Sequence, residues 1–307
     1  METTKTQFKG VIMLLLTALI WGSSFVAQSV GMESVEAFTF NGIRTLMGAA
    51  VLVPVLLIRD QKDARRAPEV YSARKQTYRH TILCGLPLGV VLCLASNFQQ
   101  FAFNYSTSGK IAFITALYMF LVPILGLFIR KHVPLMTWIC VLIGFIGLGF
   151  LCVNPADITN INLGDILAAI CAVFYAVQIL MIERFSDRCD GILLSFTQFF
   201  VSGVISCIMM FLFETPDTSA IMTAMVPLLY SGIMSCGIAY TLQIVGQKYT
   251  EATVASLLMS LESVFGVLCG ALILHEVLVW NEILGCVIMF AAIVLSQLAD
   301  RINISKK

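Results

Sequence analysis

Ten apolar runs, each about long enough to cross a bilayer, dominate this chain. They cover residues 10–30, 37–58, 80–103, 108–129, 135–153, 163–183, 191–213, 224–246, 252–274 and 280–298. A transmembrane helix needs roughly 17–25 predominantly apolar residues, whereas a membrane β-strand needs only about ten, alternating in polarity. Composition points the same way. The chain is 59% hydrophobic and 12% charged, about half the charged fraction of a soluble domain, which is about 25%. Too little polar surface remains to cover a water-exposed globule. The expected fold is an all-α integral membrane protein of ten transmembrane helices. Lys5 and Lys9 ahead of "VIMLLLTALI" imitate a signal peptide. The run continues through "WGSSFVAQSV" and nine spans follow, so it reads as a retained first helix.

Most connections are short, as between antiparallel neighbours. The exception, "RDQKDARRAPEVYSARKQTYRH" at 59–80, is basic and reads as a cytoplasmic loop with a short surface helix. With the N-terminus placed inside and the sides alternated, all of the 19 Lys and Arg residues except Lys110 and Arg44 fall in cytoplasmic loops and tails. The outer loops and adjoining span ends carry Glu33, Glu36, Asp157, Glu214, Asp217, Glu276 and Glu282. The positive-inside rule predicts this sorting, and one missed span would spoil it. The expectation is a multi-pass protein of the plasma (inner) membrane with both termini cytoplasmic.

The chain also repeats itself. With the third-to-fifth spans laid on the eighth-to-tenth, Gln99 falls on Gln243, Tyr105 on Tyr249, Leu117 on Leu261, Gly126 on Gly270 and Leu151 on Leu295, without a gap. The first span aligns with the sixth, placing Gly10 on Gly164, Ala18 on Ala172 and Trp21 on Tyr175. Each half, 1–154 and 155–307, holds five spans. An odd number turns the second half upside down, giving two inverted five-helix repeats. Secondary transporters use such repeats, with the substrate site at their interface.

"ALIWGSSFVAQSVG", "FTFNGIR", "FITALYMFLVPILG" and "SLESVFGVLCGALILHE" resemble the EamA-like branch of the drug/metabolite transporter superfamily. The resemblance runs through both halves in order. It implies ten helices in two inverted repeats, and export of small metabolites, amino acids among them, or of toxic compounds. Met119 and Ser263 stand where many members have proline. His132 replaces the acidic residue that often ends the fourth span, whose counterpart in the ninth is Glu276.

Glu262 lies inside the ninth span. A mid-helix carboxylate is costly, by about 2.5–3.5 kcal/mol on insertion scales, and by default marks function. Three readings stand: binding a proton or a substrate amine in a cavity, accepting bonds from a neighbouring helix, or pairing with Arg44. Arg44 itself reads as a structural anchor near the outer end of the second span. Asn97, Gln99 and Gln100 in the third span and Tyr240 and Gln243 in the eighth need polar partners. As repeat-related residues, Gln99 and Gln243 should meet near the pseudo-twofold axis. In the same register Tyr118 lies opposite Glu262, and Thr115 is one turn before Tyr118. Trp21 and Tyr175 could form an aromatic wall, and Ser24 could face the cavity beside Ser23. The candidate cavity set is therefore Glu262, Tyr118, Gln99, Gln243, Asn97, Thr115, Tyr240, Trp21, Tyr175 and Ser24.

The ten cysteines form no CxxC pair, and all but Cys189 lie in or beside apolar runs. They read as small buried hydrophobes, with no metal site and no disulfides. "HE" at 275–276 lacks the second histidine of a zinc helix. Gly144, Gly147, Gly266 and Gly270 invite close helix packing, and the glycine-lined fifth and tenth spans offer a face for a homodimer. No Walker-type loop supports ATP coupling. The functional expectation is a secondary transporter exporting small organic metabolites by alternating access, without a cofactor, open to coupling with protons. Its expected partners are a small-molecule substrate and membrane lipids, with no nucleic acid. Uptake or exchange of amino acids is the alternative. A lipid-modifying membrane enzyme is the reading from another class, and no histidine–acid cluster supports it.

Overall fold

The computed structural model describes residues 2–106, 108–131, 133–152, 161–273 and 279–304. His132, Asp157, His275, Glu276 and the boundary between the halves lie outside them. Among the described residues, eight helices are long and apolar enough to cross a membrane: α1 (Phe8–Met32), α2 (Ala37–Arg66), α3 (Pro68–Ala102), α4 (Lys110–Phe128), α6 (Leu163–Ser186), α7 (Gly191–Phe213), α8 (Met225–Gln247) and α9 (Ala252–Cys269). The shorter apolar helices α5 (Leu135–Leu151) and α10 (Trp280–Ser296) complete the ten.

The expected loop at 59–80 is not a loop. α2 runs on to Arg66, and α3 begins at Pro68, leaving only Ala67 between them, at φ −146° and ψ 65°. The segment is rich in Arg, Lys, Gln and Ala, all good helix formers. Proline at the first helical position forgoes only a donor that would have no intrahelical partner. Basic side chains on this hairpin find acids nearby. Arg74 bonds Asp63 at 2.6 Å, and Tyr78 donates to Asp60 at 2.5 Å.

The two halves pack as an inverted pair. α5 lies along α10, α2 along α7, and α3 along α6 and α7, while α1 packs on α8 and α9. Two glycines show the symmetry at atomic scale. A Cβ at Gly10 would meet the Gly246 carbonyl at 3.0 Å and Thr250 Oγ1 at 2.7 Å. One at its counterpart Gly164 would meet the Ala102 carbonyl at 2.8 Å and the Ser106 Cβ at 2.8 Å. The same contact is thus built twice. Between α5 and α10, Gly147 and Gly285 permit equally close backbone approach. Gly147 and Gly285 thus serve the packing of the two halves on each other.

Capping follows the residue types. Asn162 and Asp165 form a capping box at the start of α6, and Asp190 caps α7 by accepting from the Leu193 N–H at 2.9 Å. Such caps satisfy donors that a helix start leaves open. Glu214, after α7, accepts from the backbone of Phe38 and Thr39 at the start of α2, both at 2.7 Å. Lys110 pairs with Asp165 at 2.6 Å, joining α4 to α6.

Two helices are interrupted at matching places. In α4 the Leu117 N–H bonds Ile114 O at 3.1 Å and Met119 N–H bonds Ala116 O at 3.0 Å. In α9 Leu261 N–H bonds Leu258 O at 3.3 Å and Ser263 N–H bonds Ser260 O at 3.2 Å. These i→i−3 bonds tighten one turn. The helices resume at Tyr118 and Glu262. Both breaks form without a proline, Met119 and Ser263 following the residues at which the helices resume. α8 departs in the other direction, with π-helical winding over Tyr230–Ala239.

Candidate functional site

The breaks in α4 and α9 meet between the halves. Tyr118 donates its hydroxyl to Glu262 Oε1 at 3.0 Å, so the repeat-related positions touch. Gly22 of "WGSSF" makes this possible on the α9 side. A Cβ there would lie 2.5 Å from the Glu262 carbonyl and 2.7 Å from Gly266 N, so α1 packs backbone to backbone against the break.

Around this pair lies a cavity lined by Trp21, Phe25, Gln28, Arg44, Gln99, Thr115, Tyr118, Tyr175, Gln178, Ile179, Ser235, Tyr240, Gln243 and Glu262. Seven helices contribute to it, α1 to α4 from the first half and α6, α8 and α9 from the second. None of these side chains is more than 9% exposed, so the cavity is occluded. One hydrogen-bond chain runs from Tyr240 to Tyr175 at 3.2 Å, and from Tyr175 to Gln99 Oε1 at 3.2 Å. Gln99 Nε2 reaches Thr115 Oγ1 at 3.5 Å. Gln178 and Gln243 exchange bonds at 3.5 and 3.2 Å. Trp21 lies against Tyr240 with ring centroids 4.5 Å apart, while its buried Nε1 has no hydrogen-bond partner.

Eight of the ten candidate residues therefore line the cavity, and Asn97 and Ser24 do not. Asn97 is held among three helices instead. It donates to Ser206 Oγ and to the Cys93 carbonyl, both at 2.8 Å, and accepts from Asn41 at 3.0 Å. Asn41 in turn accepts from Arg44 Nε at 2.7 Å, so Asn97 helps to orient the guanidinium. Ser24 is fully buried and is not among the residues that line the cavity. Its repeat counterpart, Gln178, does line it. Gln28, Phe25, Gln178, Ile179 and Ser235 were not anticipated: Gln28 and Ser235 have apolar repeat counterparts, and Phe25 with Ile179 is an apolar pair that nothing distinguishes from the rest of its spans.

Arg44 is more than an anchor near the helix end. It is 5% exposed, lines the cavity, and has its guanidinium 5.4 Å from the Phe40 ring centre. Among the described residues no ion pair within 4.0 Å joins it to Glu262. The cavity thus holds a guanidinium and a carboxyl group that do not pair with each other.

Two other features lie outside the cavity. A groove between α9 and α10 is lined by apolar side chains alone, among them Val264, Leu268, Val287, Phe290 and Val294, and offers a solute no polar group. At the basic end of the bundle, His80, Cys84 and Cys189 bring their ring nitrogen and sulfurs within 4.8 Å of one another. The expectation of no metal-compatible grouping is corrected here. CxxC spacing does not mark this grouping, because a His and a Cys lie four apart on α3 and the third residue comes from the turn before α7.

The sequence matches the EamA-like transporter family twice, over residues 8–153 and 162–298. An uncharacterized transporter of Archaeoglobus fulgidus is 29% identical over 286 residues, covering 93% of this chain and 84% of that protein. The uncharacterized transporter YoaV of Bacillus subtilis is 22% identical over 291 residues, covering 93% of this chain and 95% of its own. A crystal structure 18% identical in sequence shares the fold, with a TM-score of 0.74 over 94% of this chain and 96% of the other. Two inverted halves, broken helices meeting at a polar cavity, and a family match across both halves lead to one conclusion: this chain belongs to the EamA-like transporter family and is a multi-pass membrane transporter.

Proposed function

We propose that this transporter exports small zwitterionic metabolites, amino acids or close relatives, by alternating access. One observation carries the reading: Arg44 and Glu262 face the same occluded cavity and do not neutralise one another. A guanidinium suits a carboxylate, often through two bonds. A carboxylate suits an ammonium group. A substrate bearing both groups satisfies both residues at once, adding an opposite charge to each in a low-dielectric interior where such partners matter most. Amides of Gln99, Gln178 and Gln243 supply donors and acceptors between them, and Trp21, Tyr175 and Tyr240 supply flat apolar surface.

In this reading the inverted halves rock against each other about the cavity, and the Tyr118–Glu262 contact is remade as they move. Both termini face the cytoplasm, which supplies the metabolites. Proton coupling through Glu262 belongs to the same reading.

The test is profiling of the medium around cells overproducing the wild type or Glu262→Ala. Accumulation of a few amino acids outside wild-type cells alone supports export. Depletion of the same solutes from the medium turns the reading to uptake, and no change in any zwitterion removes it. In liposomes, Glu262→Gln tests coupling, and an unchanged rate with an unchanged pH profile ends the proton hypothesis.

A further inference from the structure

We propose that His80, Cys84 and Cys189 form a binding site for a soft divalent metal of the zinc class, tying the two halves together at the basic end of the bundle. The three ligand atoms lie within 4.8 Å of one another. His80 Nε2 and Cys84 Sγ are 3.6 Å apart. Zinc bonds of about 2.0 Å to nitrogen and about 2.3 Å to sulfur place N and S about 3.5 Å apart across a tetrahedral ion. The observed separation is therefore already that of two ligands sharing a metal.

The backbone explains why. His80 and Cys84 are four residues apart, so they share one face of α3 a single turn apart. Cys189 sits in the turn between α6 and α7, next to Asp190. Asp190 is fixed from both sides. Its N–H donates to Thr81 Oγ1 at 3.1 Å, and its carboxylate accepts from Arg59 at 2.9 and 3.0 Å. These bonds hold the turn against α3, so Cys189 does not have to search for its partners. Preorganisation of this kind is what a metal site requires of its ligands.

Two thiolates and an imidazole favour zinc or a similarly soft ion over magnesium or calcium, which prefer oxygen. Asp190 is already bonded to Arg59 and the α7 backbone, so water takes the fourth position. His80 is exposed, which gives the ion an entry path, while Cys84 is buried and Cys189 half-buried. An open fourth position makes occupancy exchangeable.

The consequence rests on the alternating-access reading. His80 and Cys84 belong to the first half and Cys189 to the second. An ion shared among them is a cross-link beside the Arg59–Asp190 contact, and it opposes separation of the halves at this end. Metal binding then acts as a brake on transport.

Binding is measured first, without transport. Reduced, full-length protein in detergent is titrated with Co2+, whose tetrahedral thiolate complexes absorb in the near-ultraviolet and visible. One equivalent should bind with a thiolate charge-transfer band and be displaced by Zn2+. Cys84→Ser and Cys189→Ser should each weaken binding at least tenfold and lose part of that band. The exposed His80→Gln does not threaten folding and should weaken binding similarly. Cys207→Ser, further along α7 against Gly42, should leave it unchanged. Binding indifferent to all three ligand substitutions overturns the site. So does a Cys84–Cys189 disulfide found by mass spectrometry in protein purified without reductant. In proteoliposomes, Zn2+ should slow the wild type and spare His80→Gln. Zinc that binds as described but leaves wild-type turnover unaltered overturns the brake and not the site. Failure to find a zwitterionic substrate touches neither binding result.

Discussion

The breaks in α4 and α9 occupy matching places in the two halves, yet the chain treats them differently. Each helix tightens with i→i−3 bonds and resumes at the next residue, Tyr118 in one and Glu262 in the other. The first half supplies a neutral donor and the second an acid. The packing differs as well. In the register that places Gly10 on Gly164, Gly22 falls on Ala176, so the α9 side needs a glycine where the α4 side holds a fully buried methyl. The backbone geometry is symmetric, but the chemistry is not. A transporter needs two mirror-related states, which the symmetric backbone serves, while its substrate is not symmetric and needs unlike groups at the centre.

The largest effect should come from Gly22→Val. Its Cβ would press on the Glu262 carbonyl, a backbone atom that cannot turn aside. Overpacking of this kind destabilises by about 1–3 kcal/mol, and thermal unfolding in detergent should show the loss together with loss of transport. Ala176→Gly, at the counterpart position, should cost no more than about 1 kcal/mol through helix propensity. Equal destabilisation by both would break the asserted asymmetry.

Next comes the acid. Glu262→Ala removes the acceptor of the Tyr118 hydroxyl and leaves that buried group unpaired, at about 1–3 kcal/mol. Transport should fall by roughly ten- to a hundredfold, read as initial rate in liposomes. Arg44→Gln should weaken binding of carboxylate-bearing solutes about tenfold, since a charge-assisted bond contributes roughly 1.5–3 kcal/mol. It should leave amines that lack a carboxylate almost unaffected, and a competition assay with matched pairs separates the two. An equal loss for both would reduce Arg44 to a packing role.

Tyr118→Phe should have the smallest effect. It keeps the ring and deletes one hydroxyl, a change of about 0.5–1.5 kcal/mol, or a few-fold in rate. A Tyr118→Phe defect as large as that of Glu262→Ala would mean that the two halves contribute equally after all.

The ten spans, the inverted repeat and eight of the cavity residues were legible in the sequence because each leaves a local or periodic mark. Apolar length marks a span, and matching residues at a constant offset mark a repeat. Tyr118 and Glu262 could be paired before any coordinates because their register ran without a gap. Asn97 misled for a physical reason. A buried amide must be satisfied, and the sequence cannot say whether a substrate or Ser206 satisfies it. The segment at 59–80 misled because charge suggested a loop, while its residues are good helix formers and simply carry the helices beyond the apolar zone.

What the sequence determined by itself is whatever depends on solvent and period: a helical chain that must lie in a bilayer, its even count of spans, and two halves of opposite orientation. Tertiary structure alone decided which polar groups meet. Arg44 and Glu262 lie more than two hundred residues apart in a chain whose seven cavity-lining helices come from both halves, and His80 and Cys84 find Cys189 only because Asp190 is bonded to α2 and α3 at the same turn. Periodicity reports which face of a helix is apolar, but the azimuth at which two helices pack is set by contacts such as Gly22 on Glu262, and those exist only once the bundle has closed.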